Sequence, residues 1–239
     1  PNFPAERVKA AEIFPHQAFI VSFNISFRPG QRYIQLPNSK ISLGSKYPTF
    51  TFGYSKGVKN IFGSDVDFDR WKLAINDDKN FKLAGSLKYR LGVGGFLNNK
   101  KVNIQDYQHF NGNEAVTASE YVNSFQLVKY YAYSTTEQFY GIAHLEHHFN
   151  GLLTNKIPLF KRLGWFLVAG TNTFYVDRQS NYIEVFAGLE NIFKILRVDV
   201  VAAFENGKHS RTAIRIGTGG LLGNGVEVNR RKGSASVNL

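Results

Sequence analysis

The sequence predicts an all-β fold, an antiparallel transmembrane β-barrel of which this chain supplies the C-terminal part. Three observations carry that expectation. Apolar and polar residues alternate over long runs, the pattern of strands with one oily face. Aromatic residues reach 15%, with 21 Phe and 12 Tyr, and these suit pleated faces and the aromatic girdles of bilayer barrels. Charges of both signs recur on the polar side of the last runs, where a lumen would let them pair. No run approaches the roughly 20 consecutive apolar residues of a membrane helix, and the mean hydropathy is -0.24. A barrel keeps that average low because only alternate residues face lipid.

The first run sets Phe19, Val21, Phe23, Ile25 and Phe27 against Ser22, Asn24, Ser26 and Arg28. The second sets Phe50, Phe52 and Tyr54 against Thr49, Thr51, Gly53 and Ser55, and the third sets Trp71, Leu73 and Ile75 against Arg70, Lys72 and Asn76. A fourth run, Phe81, Leu83, Leu87, Tyr89, Leu91 and Val93, alternates with Lys82, Ser86, Lys88 and Arg90. It is about as long as a tilted membrane strand requires. Ile183, Val185, Ala187 and Leu189 oppose Glu184 and Glu190, and Leu196, Val198, Val200, Ala202 and Phe204 oppose Arg197, Asp199 and Glu205. Ile214 and Ile216 flank Arg215. Weaker patterns place strands at 103–111, 125–134, 139–149 and 166–176, for about eleven in all. Residues 155–163 (NKIPLFKRL) form the one short helix. Phe19, Val21, Leu83, Leu87, Val198 and Val200 are expected to face outward.

The connections alternate in character. Residues 76–80 (NDDKN) suit a tight turn, whereas 57–66 and 95–102 are longer and rich in Lys, Asn and Gly. Outer-membrane barrels pair short periplasmic turns with longer outside loops. With 76–80 taken as periplasmic, the loops at 57–66, 95–102, 177–181 and 206–210 fall outside the cell. Those at 151–164 and 191–195 fall on the periplasmic side, as does the exit after Gly217. The first strand then descends from the surface, and unpaired edges in hydrocarbon are costly, so strands from elsewhere are expected to complete the barrel. The chain opens on Pro1, has no Met and shows no signal-peptide pattern, which fits a segment of a longer protein. Strands are expected within 1–220, and 221–239 as a C-terminal tail with at most a short hairpin.

Cysteine is absent, which excludes disulfides and thiolate metal sites. The net charge of +11 points to acidic partners, but no nucleic-acid recognition motif accompanies it. Nucleic acid is therefore not expected as a partner. Outer-membrane lipids and lipopolysaccharide are, together with other envelope proteins.

The candidate functional residues form a lumenal charge network: Glu146, Glu184, Glu190, Arg197, Asp199, Glu205 and Arg215. No catalytic, cofactor-binding or metal-ligating set is expected. On a strand His144, Glu146 and His148 share a face while His147 points away, a spacing that supplies no specific ligand set and adjoins no GxSxG elbow. Asp65, Asp67 and Asp69 lack the glycine and the distal Glu of a calcium loop and are expected to be solvated. Residues 217–223 (GTGGLLG) lack the lysine of a phosphate loop and suit an exit from the last strand.

Longer stretches carry a resemblance. EHHFNGLLTNKIPLFKRLGW (146–165), VAGTN (168–172), EVFAGLENIFKILRVDVV (184–201) and IRIGTGG (214–220) look like the end of a particular barrel. Upstream, LGSKYPTFTFGYSKG (43–57), FGSDVDFD (62–69) and FLNNKK (96–101) fit the same pattern. They resemble large Bacteroidota outer-membrane proteins of uncharacterised function that carry an N-terminal carboxypeptidase-regulatory-like domain. More distantly, the closing strands are similar to insertase-type outer-membrane barrels, which implies a complete barrel of about sixteen strands. The chain lacks an arginine-glycine-phenylalanine loop motif and does not end on an aromatic residue, so insertase activity is not carried over. The expectation is a non-enzymatic bacterial outer-membrane protein serving assembly, transport or envelope structure. The alternatives are a lipid- or lipopolysaccharide-modifying barrel enzyme using the 144–148 strand, and a solute-uptake pore.

Overall fold

A computed structural model of the chain describes residues 17–177 and 180–218. The chain forms β1 (Ile20–Phe27), a hairpin of β2 (Arg32–Leu36) and β3 (Ser39–Gly44), then β4 (Thr49–Gly57), β5 (Asp67–Asn80) and β6 (Ser86–Lys101). A long connection holds two minor strands, β7 (Gln108–His109) and β8 (Ser134–Thr135). There follow β9 (Tyr140–His148), the short helix α1 (Pro158–Leu163), β10 (Phe166–Tyr175), β11 (Asn181–Ile192), β12 (Leu196–Glu205) and β13 (Lys208–Thr218). Nine strands make one sheet in the order β1-β4-β5-β6-β9-β10-β11-β12-β13. Each neighbouring pair is antiparallel. The protein is all-β, and among the described residues no helix is long and apolar enough to cross a membrane. The sheet is open, with β1 and β13 as its edges.

Because side chains alternate across a strand, the register divides the sheet into two contrasting faces. One face, here called outer, carries Val21, Phe23, Ile25 and Phe27 of β1, and these neighbour Phe50, Phe52 and Tyr54 of β4. It continues through Leu73 and Ile75, Leu91 and Val93, Ile183 and Val185, to Val200 and Ile214. Many of these side chains are bare: Ile25 is 59% exposed, Phe27 63%, Val200 52% and Ile214 59%. The inner face carries His144, Glu146, Asn172, Glu184, Arg197, Asp199 and Arg215, all buried. Residues 102–139 cover it, packing Phe110, Tyr121, Phe125, Leu127 and Val128 against Val168, Phe174, Tyr182, Phe186 and Val201.

Several expectations need correction. Residues 76–80 are not a turn: β5 runs through Asn80, and the reversal uses 81–85 with a 3-10 turn at Lys82–Ala84. Leu83 therefore sits at a turn tip, 88% exposed, and not on a strand. Phe19 precedes β1 and packs its ring edge-on against Phe62. Val21, Leu87, Val198 and Val200 do lie on outer-face positions. Nor are residues 95–102 a loop, since β6 continues to Lys101 through Gly94 and Gly95. A Cβ on Gly94 would collide with the Tyr140 ring, so this glycine serves packing within a strand. The segments 103–111 and 125–134 are not sheet strands either. They belong to the covering connection, and their loss turns about eleven predicted strands into nine. The hairpin of β2 and β3 was not anticipated. The helix was, and it ends at Gly164, whose φ of 68° is left-handed. The tail at 221–239 and most of 217–223 lie outside the described residues.

The turn at 81–85 makes one position unforgiving. Gly85 has φ +94°, and a side chain there would run into the carbonyl of His148 on β9. Gly85→Ala should destabilise the protein by about 2 kcal/mol or more, read as a lowered midpoint in chemical unfolding. An unchanged midpoint would mean that the turn is free to rearrange.

Candidate functional site

The inner face gathers polar and ionisable groups from five strands around one crossing segment. Glu184 on β11 is fully buried. Its Oε2 accepts the Gln126 backbone N–H at 2.8 Å, and its Oε1 accepts the Leu127 N–H at 2.6 Å and the Tyr182 hydroxyl at 2.6 Å. From β13, Arg215 donates through Nε at 2.9 Å and Nη2 at 2.7 Å to the carbonyl of Gln126. Arg211 donates to the carbonyl of Leu127. On β10, Asn172 donates to the carbonyl of Ser124 at 3.3 Å, and its Oδ1 accepts from His144 Nδ1 at 3.0 Å. The backbone groups of Gln126 and Leu127 are thus satisfied by side chains where a strand would use a neighbouring strand, whereas the N–H groups of Ser124 and Phe125 go to the carbonyls of Glu120 and Asn111. The Phe125 ring anchors the same stretch, 5.0 Å from His144 and edge-on to Phe174 at 5.3 Å.

A second cluster lies nearer the β12 start. Asp199, fully buried, accepts from Arg197 Nε at 2.8 and 2.9 Å and from the Tyr121 hydroxyl at 2.9 Å. Arg197 Nη1 reaches Glu146 Oε1 at 3.0 Å, and its guanidinium lies 4.3 Å over the Tyr121 ring. His148 stands between two carboxylates, with Nε2 2.5 Å from Glu146 Oε1 and Nδ1 2.9 Å from Glu190 Oε2. Burial, together with the facing Asp199 carboxylate, pushes the Tyr121 hydroxyl above the usual tyrosine range, so it stays a donor. Gly188 pairs with Asp199, and a side chain there would strike the carboxylate. The glycine makes the space that the acid fills.

Side chains leave a sheet roughly perpendicular to it, and β9 and β12 are separated by two strands. Contact between Arg197 and Glu146 therefore requires the sheet to curl toward its inner face. Buried ion pairs of this kind add little net stability, but removal of one partner costs about 3–5 kcal/mol because a charge is stranded. The arrangement works as a clamp, holding 121–127 against the strands.

Six of the seven residues singled out in the sequence sit on this face, in two groups bridged by residues 121–127. Glu205 does not join them. It lies at the β12–β13 hairpin and accepts from Ser210 Oγ at 2.8 Å. The histidines are divided: His144 and His148 face inward, whereas His147 meets the carbonyl of Ala84 at 2.9 Å. Asp65, Asp67 and Asp69 are each engaged separately, by Lys101 at 3.3 Å, Asn98 at 2.7 Å, and Lys56 with Tyr54 at 2.8 and 2.6 Å. No group of three metal-ligating side chains converges among the described residues. Sequence reasoning missed Tyr121, Gln126, Asn172 and Tyr182. Strand parity could have found Asn172 and Tyr182, since they share the inner side with Glu184. Nothing in the sequence marks Tyr121 or Gln126.

Glu184→Gln tests the clamp. It keeps the shape but removes the charge from three short hydrogen bonds, for a loss of about 2–4 kcal/mol. Hydrogen exchange at the amides of Gln126 and Leu127 should speed up at least about tenfold, while the β4–β5 ladder stays protected. Unchanged exchange at these two amides would show that the carboxylate does not hold the segment.

No curated protein and no solved structure matches the chain. Residues 1–189 match the C-terminal domain of a family of unknown function, DUF5686. The chain belongs to that family.

Proposed function

We propose that this chain is a membrane-embedded part of a bacterial outer-membrane β-barrel, acting without catalysis in envelope assembly, transport or structure. One observation carries the reading: the sheet is inverted relative to a water-soluble one. Its polar, charged face is buried under its own connection over β9–β13, and its apolar face carries exposed large side chains from β1 through to β13. A bare apolar face of that extent marks contact with an apolar partner, and each large side chain withdrawn from water gains about 1.5–3 kcal/mol. A bilayer covers such a face on every strand at once. Open edges in hydrocarbon cost several kcal/mol for each unpaired group, so further strands must close the barrel. In that setting the inner face is the lumen, and residues 102–139 are its plug.

Two features speak against the other readings. The plug fills the space over β9–β13 that a solute pore would leave open. Both ring nitrogens of His148 are taken up by Glu146 and Glu190, which leaves it none with which to serve a nucleophile.

Val200→Arg distinguishes bilayer from water. Val200 is 52% exposed on the outer face, so in a soluble protein the change should be nearly neutral, within about 0.5 kcal/mol. At bilayer depth it should cost about 2–4 kcal/mol. We expect the wild-type protein to sediment with outer membranes and resist alkaline carbonate, and Val200→Arg to assemble poorly. Carbonate-extractable protein with a neutral Val200→Arg would overturn the proposal.

A further inference from the structure

The two ends of the sheet differ sharply in charge. Antiparallel pairing brings the connections 28–48, 81–85, 149–165 and 193–195 to one end. Together they contain nine Lys and Arg residues and no Asp or Glu. The links β4–β5, β10–β11 and β12–β13 turn at the other end, and 102–139 leaves and re-enters the sheet there but folds back over the inner face, with Thr117 bridged to Ile216 and Tyr121 bonded to Asp199. The three links carry Asp65 and Asp177 against Lys59 and Arg178, and so no net charge. A net charge of +11 is therefore concentrated at one rim.

The cationic rim is also the more apolar one. Leu83 is 88% exposed, Phe193 79%, Leu159 61% and Leu43 58%. They stand beside Lys82, Lys194, Lys161 and Arg162, and in α1 the two kinds alternate within PLFKRL. Aliphatic and aromatic side chains at the ends of membrane strands, with lysines and arginines reaching past them, seat a protein at a headgroup layer. The acids at this end of β5 do not cancel the field: Asp77 is bridged by Arg28 at 3.1 Å, and Asp78 is followed by Lys79 and stands opposite Lys88 in the ladder.

We propose that this rim is a binding surface for the phosphates of anionic glycerophospholipids in the leaflet at that end, with Lys156, Lys161, Arg162 and Lys194 as its centre. The inference rests on the membrane reading and adds the lipid class and the leaflet. The short connections 81–85 and 193–195 keep their cations level with the strand ends, the depth of a phospholipid phosphate. Phosphatidylglycerol is the simplest ligand of that class.

The two tryptophans make a clean test. Trp165 lies at the cationic rim, stacked near Phe160, whereas Trp71 lies on β5 beside Tyr54 and toward the opposite end. Single-tryptophan variants, Trp71→Phe and Trp165→Phe, are reconstituted in phosphatidylcholine vesicles. Quenching by chain-brominated phosphatidylglycerol is compared with quenching by chain-brominated phosphatidylcholine. At Trp165, phosphatidylglycerol should be preferred about threefold to fivefold, since each basic residue at an anionic surface contributes on that order. The preference should collapse at high salt as the screening length falls to a few ångströms, about 3 Å at 1 M. It should also be lost in Lys156→Gln/Lys161→Gln/Arg162→Gln/Lys194→Gln but kept in Lys59→Gln/Lys129→Gln. Trp71 should be quenched equally by both lipids. Equal quenching at both tryptophans overturns the headgroup site and leaves the membrane reading standing. A stronger response of Trp165 to added lipopolysaccharide than to phosphatidylglycerol overturns the assignment to a phospholipid leaflet. No quenching of either tryptophan overturns the membrane reading and this inference with it.

Discussion

The Glu184 carboxylate, buried beneath two backbone N–H groups, is the interaction on which the rest of the structure turns. A carboxylate moved out of water loses several kcal/mol of hydration unless donors replace it. Here the donors are Gln126, Leu127 and Tyr182. The demand is mutual. An irregular segment over a sheet has peptide groups with no ladder to join, and each left unsatisfied would cost about 1–3 kcal/mol. Acid and segment solve each other's problem, and Arg215 completes the exchange at the carbonyl side of the same peptide. Once that face is committed to charge, strict alternation leaves only the other face for Phe, Ile, Val and Leu.

The same logic explains why the two clusters differ. Around Glu184 the charges are neutralised by peptide dipoles, with Arg211 and Arg215 on the carbonyls of the same stretch, so the group grips main chain. Around Asp199 they are neutralised by one another: Arg197 serves both Asp199 and Glu146, and His148 serves both Glu146 and Glu190. That second group ties β9, β11 and β12 together and curls them. One cluster places the covering segment, and the other bends the surface that receives it.

Much of this was legible in the sequence. The period-two runs at 19–27, 49–55, 183–190 and 196–204 located strands and assigned their faces, because each face of a strand has a single environment. The charge at Glu184, Arg197, Asp199 and Arg215 was visible as an inward set for the same reason. What failed was local. Phe81 and Leu83 extended an alternation by coincidence, while the real reversal depends on the φ of Gly85. Gly94 and Gly95 resemble a loop unless one knows that the Tyr140 ring and the Gln138 backbone need their space. Residues 103–111 and 125–134 carry strand-like composition because they too are buried on one side, yet they pair briefly with each other, and Gln126 and Leu127 are held by side chains far along the chain. Propensity cannot register a partner of that kind.

That remoteness governs how the molecule can form. Gln126 is held by Arg215, 89 residues later, and by Glu184, 58 residues later, and Tyr121 by Asp199, 78 residues later. None of these acceptors and donors exists near the segment when it is first synthesised. Closing such long loops costs entropy before any contact repays it, and topologies rich in distant contacts fold slowly. Residues 121–127 therefore cannot take their seat until β11 to β13 have been added. The covering segment is the last part of the chain to find its place, and the final strands are what seat it.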